Sequence, residues 1–194
     1  MHQKIISVFG SSRPATGDTE YEQARTLGSA LAERGFAVCT GGYGGVMEAT
    51  SRGAKEAGGK TYGVTAEFFS RKANDWVDVE IRKKTWAERL FTLIEMGDGF
   101  VVCKGGTGTL VELAVVWEML NKRAMPAKPC VVLGLFWQPI LERVREVELA
   151  TNVTTGSSIW GEANRTLVHS APHVDKAVEF LVAQLAPGKK VVTT

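Results

Sequence analysis

Apolar positions along this chain switch back and forth between two spacings. Short apolar runs at Ile5–Gly10, Phe36–Thr40, Lys60–Val64, Gly99–Cys103 and Cys130–Gly134 read as strands. The Gly99–Cys103 run shows no polar alternation, as expected of a strand covered on both faces. Between the runs, apolar residues recur at helical spacing. They predict helices over about Glu20–Arg34, Val46–Ala57, Thr85–Met96, Leu110–Lys122, Pro139–Leu149 and Val174–Leu185. Asp18 and Thr19 offer caps for the first helix, Gly35 ends it, and Gly58-Gly59 stops the second. Ala66–Asp75 reads as irregular and polar, Trp76–Ile81 as a short edge strand, and Pro126 and Pro129 as marks of a linker. Thr151–Gly161 is expected to be a loop and Arg165–Val168 a further edge strand.

Strands alternating with helices call for right-handed crossovers. The fold class expected is α/β, a Rossmann-like doubly wound parallel sheet with helices on both faces. Residues 1–194 read as one domain with a frayed tail over 185–194. Ligands of such sheets bind beyond the carboxyl ends of the strands. That gathers Gly10–Arg13, Gly41–Gly45 and Gly105–Thr109 around one crevice.

The richest of these corners is Lys104-Gly105-Gly106-Thr107-Gly108-Thr109-Leu110-Val111-Glu112, where a buried strand becomes a helix. A strand-to-helix turn offers free backbone N–H groups and the positive end of a helix dipole, and so suits an anion. Glycines let the backbone approach a phosphate closely, and Thr107 and Thr109 add hydroxyls. Val111 stands where the dinucleotide fingerprint has its third Gly or Ala, and no Gly-Lys-Ser/Thr closes a Walker A loop. Glu112 would repel a phosphate it faced, so a role toward the sugar or base is the sensible one. It is the best candidate for acid–base work on an oxocarbenium-like sugar. Gly10, Ser11, Ser12 and Arg13 are expected on the opposite lip, and Arg89 as a clamp for phosphate or carboxylate. Gly41, Gly42, Gly45, Met47 and Glu48 form the second glycine corner, with Glu48 equally suited to a helix first turn.

Composition narrows the partners. Hydrophobic residues make up 44% and the net charge is +2 with no basic block, so a small phosphorylated ligand is a better anion than nucleic acid. No apolar run reaches membrane-spanning length, and Met1–Lys4 reads as leading straight into a strand, so no signal peptide is expected. Cys39, Cys103 and Cys130 lie in or beside apolar strands, which suggests reduced thiols in a cytoplasmic protein. His2, His169 and His173 have no ligand spacing, so no metal and no cofactor are expected; His169 and His173 read as a solvated helix start. Trp86, Trp117 and Trp137 suit core or interface packing better than base stacking. Apolar residues on more than one face of the helix after Gly108 would suit a dimer interface.

With those residues in view, the chain resembles the Lonely Guy (LOG) family, some members of which carry the label "possible lysine decarboxylase". Its Pro-Gly-Gly-x-Gly-Thr-x-x-Glu motif is similar to Lys104–Glu112, and its Arg-Lys pair to Arg89-Leu90. Asp98, Val8-Phe9-Gly10-Ser11-Ser12, Gly41–Met47 and Ala57–Val64 continue the likeness over roughly Ile5 to Leu133. The resemblance implies a Rossmann-like homodimer that hydrolyses nucleoside 5′-monophosphates, of AMP or cytokinin riboside type, to free base and ribose 5-phosphate. It implies Arg89 and Glu112 as the catalytic pair and Gly105, Gly106, Thr107, Gly108 and Thr109 as the phosphate loop. It argues against amino-acid decarboxylation, since no pyridoxal phosphate lysine pattern accompanies it. Lys104 replaces the motif proline, Leu90 the second basic residue, and Val115 a further acid. Gly44–Ala49 looks more like a sister branch that includes a molybdenum-cofactor carrier protein. Three readings stay open: a phosphoribohydrolase, a non-catalytic carrier or sensor of a nucleotide or pterin phosphate, or an assembly module without a ligand.

Overall fold

The computed structural model describes residues 3–155 and 167–186. In chain order the elements are β1 (Ile5–Phe9), α1 (Thr19–Glu33), β2 (Ala37–Thr40), α2 (Val46–Glu56) and β3 (Thr61–Ala66). A short 3-10 turn (Glu67–Phe69) then leads to β4 (Val79–Lys83), α3 (Trp86–Met96), β5 (Gly99–Val102) and α4 (Thr107–Asn121). The chain closes with β6 (Cys130–Leu133), α5 (Gln138–Thr155), β7 (Val168–Ala171) and α6 (Val174–Leu185). The strands form one sheet in the order β4-β3-β2-β1-β5-β6-β7, and every pairing is parallel. The fold is therefore the Rossmann-like α/β sheet read from the sequence. Strand order reverses between β1 and β5, which opens a crevice at their carboxyl ends.

Alternation along each strand divides the core into two layers. Ile5, Phe9, Phe100 and Val102 point to one face, where Leu93, Leu113, Val116, Trp137 and Leu141 of α3, α4 and the α5 region cover them. Ile6, Val8, Val101 and Cys103 point to the other, beneath Leu27, Leu31, Ala49, Val178 and Leu181 of α1, α2 and α6. Unbroken apolar runs are what a sheet covered on both faces requires.

On the second face α1 and α2 approach to backbone contact. A Cβ built at Gly28 would collide with the Thr50 carbonyl oxygen, and one at Gly53 with that of Arg25. The close approach fixes α2, whose first turn frames the crevice. At Gly45, φ is +68° and a Cβ would meet the Ser11 carbonyl, which itself accepts a hydrogen bond from the Val46 amide at 2.8 Å. That contact ties the β1 turn to the start of α2.

Several boundaries differ from the sequence reading. The edge strand β4 lies at Val79–Lys83 rather than Trp76–Ile81, because Asp78 is drawn into hydrogen bonds with Thr61 before pairing begins. The helix α5 continues to Thr155, so the expected loop from Thr151 is helical at its start; residues 156–161 lie outside the described residues. The last strand is Val168–Ala171, not Arg165–Val168, and Arg165 lies outside the described residues. His169 is therefore on a strand, stacked on Phe180 at 4.3 Å, and only His173 sits at a helix start. Residues 187–194 of the expected tail are likewise outside the described residues.

Gly28→Ala and Gly53→Ala are expected to lower unfolding stability by roughly 1–3 kcal/mol each, the usual cost of overpacking a close contact. Urea or thermal denaturation measures it, and unchanged midpoints would contradict the contact.

Candidate functional site

The crevice at the β1/β5 switch point has a volume of about 1130 Å³. Gly105 to Thr109 line it, and Gly10 to Arg13 stand beside that turn rather than on an opposite lip, with Met47, Arg89 and Glu112 also in the lining. Thr107 is already the first helical residue of α4, so the helix starts three residues earlier than the apolar spacing predicts. Gly106 occupies the cap position without a side-chain bond, and the first intrahelical bond runs from the Leu110 amide to the Gly106 carbonyl at 2.9 Å. The Thr107, Gly108 and Thr109 amides thus open the helix beside the crevice, where an anion is favoured. Close approach of β1 requires Gly105: a Cβ there would collide with Thr109 Oγ1 and lie 3.1 Å from the Ser11 amide nitrogen. The Ser11 amide in turn donates to the Lys104 carbonyl at 3.2 Å.

Arg89 is 7% exposed. Its helix is fixed by a capping box in which Thr85 Oγ1 accepts from the Glu88 amide and the Glu88 carboxylate from the Thr85 amide. Glu88 is thus occupied and does not pair with Arg89. Instead Arg89 Nε donates to the Val64 carbonyl at 2.8 Å and Nη2 to the Gly41 carbonyl at 3.2 Å. The Tyr43 and Phe69 rings lie 5.5 and 5.7 Å from the guanidinium carbon. These contacts leave Nη1 turned toward Glu112 Oε1, 3.9 Å away. That distance is too long for a hydrogen bond.

Burial disfavours both charges. It pushes the Glu112 carboxyl up to about 7, and the neighbouring Arg89 only partly opposes the rise. It also lowers Arg89, against the pull of Glu112. A loose pair held away from water in this way keeps its hydrogen-bonding capacity for something else in the crevice. A perturbed carboxyl in a cleft is the common mark of a reacting group.

The second glycine corner divides in the structure. Met47 lines the crevice and places its sulfur 3.9 Å from Arg89 Nη2. Gly41 lies behind Arg89, where a Cβ would collide with Nη2. Gly42, with φ of +76°, and Gly45 shape the backbone and do not line the crevice. Glu48 also lies off the lining; its carboxylate accepts from the Tyr21 hydroxyl at 2.9 Å. Lys104 is on the rim, paired with Glu20 at 2.6 Å, and the pair holds the Glu20 carboxyl below its ordinary range. Trp117 and Trp137 are buried, and Trp137 Nε1 donates to the Cys103 carbonyl at 2.9 Å, anchoring the end of β5.

Sequence reading missed Phe68, Phe69 and Arg71 at the crevice, gave Asp18 and Glu20 only to the start of α1, and placed Trp86 with the packing tryptophans. Two adjacent phenylalanines in a polar segment with no element to bury them were the available signal. Among the described residues there is no cluster of three or more metal-ligating side chains, and no helix is long and apolar enough to cross a membrane. All three cysteines are free and buried.

Two outcomes follow from this geometry. A carboxyl whose pKa is raised on folding binds its proton more tightly in the native state, so stability falls as pH climbs from about 4.5 to about 7. Glu112→Gln removes that burden, and is expected to stabilise the protein by roughly 1–3 kcal/mol above neutrality and by nothing in acid. Denaturation midpoints across pH measure the difference; a gain independent of pH would contradict the raised carboxyl. Gly41→Ala should displace the Arg89 guanidinium and weaken ligand binding roughly tenfold or more. Titration with ribose 5-phosphate measures it.

Known proteins resemble the chain across this whole region. A protein of Archaeoglobus fulgidus named only as uncharacterized is 34% identical over 131 residues, 66% of this chain and 82% of that protein. The cytokinin riboside 5′-monophosphate phosphoribohydrolase of Rhodococcoides fascians is 26% identical over 159 residues, 78% of this chain and 79% of the relative. Among solved structures, the molybdenum cofactor binding protein of Rippkaea orientalis superposes with a TM-score of 0.73 at 27% identity, covering 94% of this chain and 98% of that one. These names span the same two branches that the sequence motifs resemble. The profile of the SLOG cluster4 family matches residues 3–153, glycine corners, Arg89 and Glu112 included, and the chain belongs to that family.

Proposed function

We propose that this protein hydrolyses the N-glycosidic bond of nucleoside 5′-monophosphates, releasing a free base and ribose 5-phosphate. One observation carries the reading: the loose, buried Arg89–Glu112 pair stands in the same crevice as the opening amides of α4. In this account the phosphate rests on the Thr107, Gly108 and Thr109 amides, and Arg89 Nη1 steadies the ribose phosphate. Glu112 faces the anomeric carbon. As the bond to the base lengthens, the carboxylate offsets positive charge on the sugar and takes a proton from the attacking water. The base departs with the bonding electron pair and gains a proton; the water oxygen joins the anomeric carbon. A carboxyl near 7 is half ionised at neutral pH, which suits a group that accepts and returns a proton.

The relative named as a cytokinin riboside 5′-monophosphate phosphoribohydrolase supports the reaction class. A second reading, a carrier of a phosphate-bearing ligand, is favoured by the departures around the site. Leu90, in place of a second basic residue, is buried in the core, and Lys104 is paired with Glu20. The likeness to the molybdenum cofactor binding protein supports it as well. In either reading we take the protein to be a cytoplasmic homodimer. Phe91 and Leu110, both more than a third exposed on α3 and α4, are surface for a second copy to cover.

Purified protein is expected to release adenine from AMP, with a rate that rises as pH passes through about 7 because the reacting carboxylate must be ionised. Glu112→Gln should reduce release by roughly a hundredfold or more while AMP still binds. Chromatography of free base across a nucleoside monophosphate panel measures it. Binding without release by the wild type would favour the carrier, and mass spectrometry of ligand freed from denatured protein would then identify the cargo.

A further inference from the structure

The crevice has a second end that the phosphate and acid–base residues leave unused. Beyond β3, the 3-10 turn carries Phe68 and Phe69 to the lining, and Trp86 at the start of α3 stands there with Arg71. Phe68 is 72% exposed, Trp86 40% and Phe69 38%. Three large aromatics open to water at the mouth of one cleft mark an interaction site more often than a packing accident. They are also arranged. The Phe68 and Phe69 rings meet edge-on at 5.3 Å, and Phe69 meets Tyr43 edge-on at 5.5 Å. Phe69 in turn lies against the Arg89 guanidinium, so an aromatic path runs from the acid–base pair to the crevice mouth.

Distance across the sheet fits these two ends to one ligand. The glycine turn follows β5 and the aromatic turn follows β3, with β1 and β2 between them. Three interstrand steps of about 4.8 Å put the ends about 14 Å apart. A nucleoside monophosphate, set off from each end by an ordinary contact distance, would bridge that gap. Arg89 and Glu112 fall between the two ends, where the sugar would lie.

We propose that Phe68, Phe69 and Trp86, with the Arg71 guanidinium, form a stacking subsite for the planar nitrogen heterocycle of the ligand. Stacking uses the π-face that every such ring possesses and asks for no hydrogen-bond pattern. The subsite therefore selects for a flat ring at a set distance from a phosphate, and a purine and a pterin share that chemistry. The inference builds on the phosphate placement proposed above but not on hydrolysis.

The test compares AMP, neopterin monophosphate and ribose 5-phosphate by calorimetric titration of the full chain, wild type and variants. Phe68→Ala and Trp86→Ala are each expected to weaken AMP or neopterin monophosphate roughly 5- to 100-fold, the range of one stacked base, and to leave ribose 5-phosphate within about twofold. Trp86→Phe should keep the affinity while abolishing the ligand-induced quenching of tryptophan fluorescence. The more tightly bound of the two ring ligands identifies the heterocycle, and loss of either in the alanine variants supports the subsite. Equal losses for ring-bearing and ring-free ligands would overturn it, as would wild-type protein that binds AMP and neopterin monophosphate no more tightly than ribose 5-phosphate. A change in sedimentation coefficient with unchanged ligand affinity would overturn it too, assigning the aromatics to a second copy of the chain. Wild-type protein that binds AMP without releasing adenine would remove the hydrolytic reading alone, and the affinities would still judge the subsite.

Discussion

Everything at the crevice depends on how one guanidinium is held. Arg89 gives two of its nitrogens to backbone carbonyls, of Val64 within β3 and Gly41 after β2. One carbonyl belongs to the sheet and the other to the turn just beyond the neighbouring strand, so the side chain is positioned by backbone rather than by other side chains. The third nitrogen is left facing Glu112 at a distance too great for a hydrogen bond. Two charges taken out of water without closing on each other cost stability, and such pairs persist where they serve binding or chemistry.

Glycines supply the room for this arrangement, each by a different means. Gly41 vacates the space the guanidinium fills, and Gly105 lets Thr109 fold against the β1 turn. Further away, Gly28 and Gly53 bring α1 and α2 to backbone contact, which sets α2 against the β1 turn through the bond from Val46 to Ser11. The cleft is thus the place where close backbone approaches from both layers meet at the point of strand reversal.

The residues that depart from the family motif fall into distinct settings. Leu90 is buried against the core and also lines the crevice, so a basic residue there would reach toward a ligand. Val115 packs against the same core from α4. Lys104 sits on the rim, held by Glu20 and 5.9 Å from the Phe136 ring. Lys104 and Leu90 both border the crevice, whereas Val115 does not line it.

How much was legible beforehand follows from the range of the forces involved. Strand and helix identity, the parallel sheet and the glycine corner at Lys104–Glu112 were readable because each is written in local periodicity and turn chemistry. The start of α4 was misjudged by three residues because Gly106 caps it through backbone alone, leaving no side-chain signal. Strands at Val79 and Val168 shifted for a similar reason, since register is chosen by the neighbouring strand. For Arg89 the sequence offered a clamp but no sign of burial, which is the work of β2 and β3, distant along the chain. The same holds for Phe68, Phe69 and Trp86, whose convergence exists only once the β3 turn and the start of α3 are folded beside the crevice. The sequence by itself determined which segments form the sheet and where its backbone offers amides to an anion. Only tertiary structure decided which charges lose their water and which aromatics keep theirs, because desolvation depends on what every other segment covers.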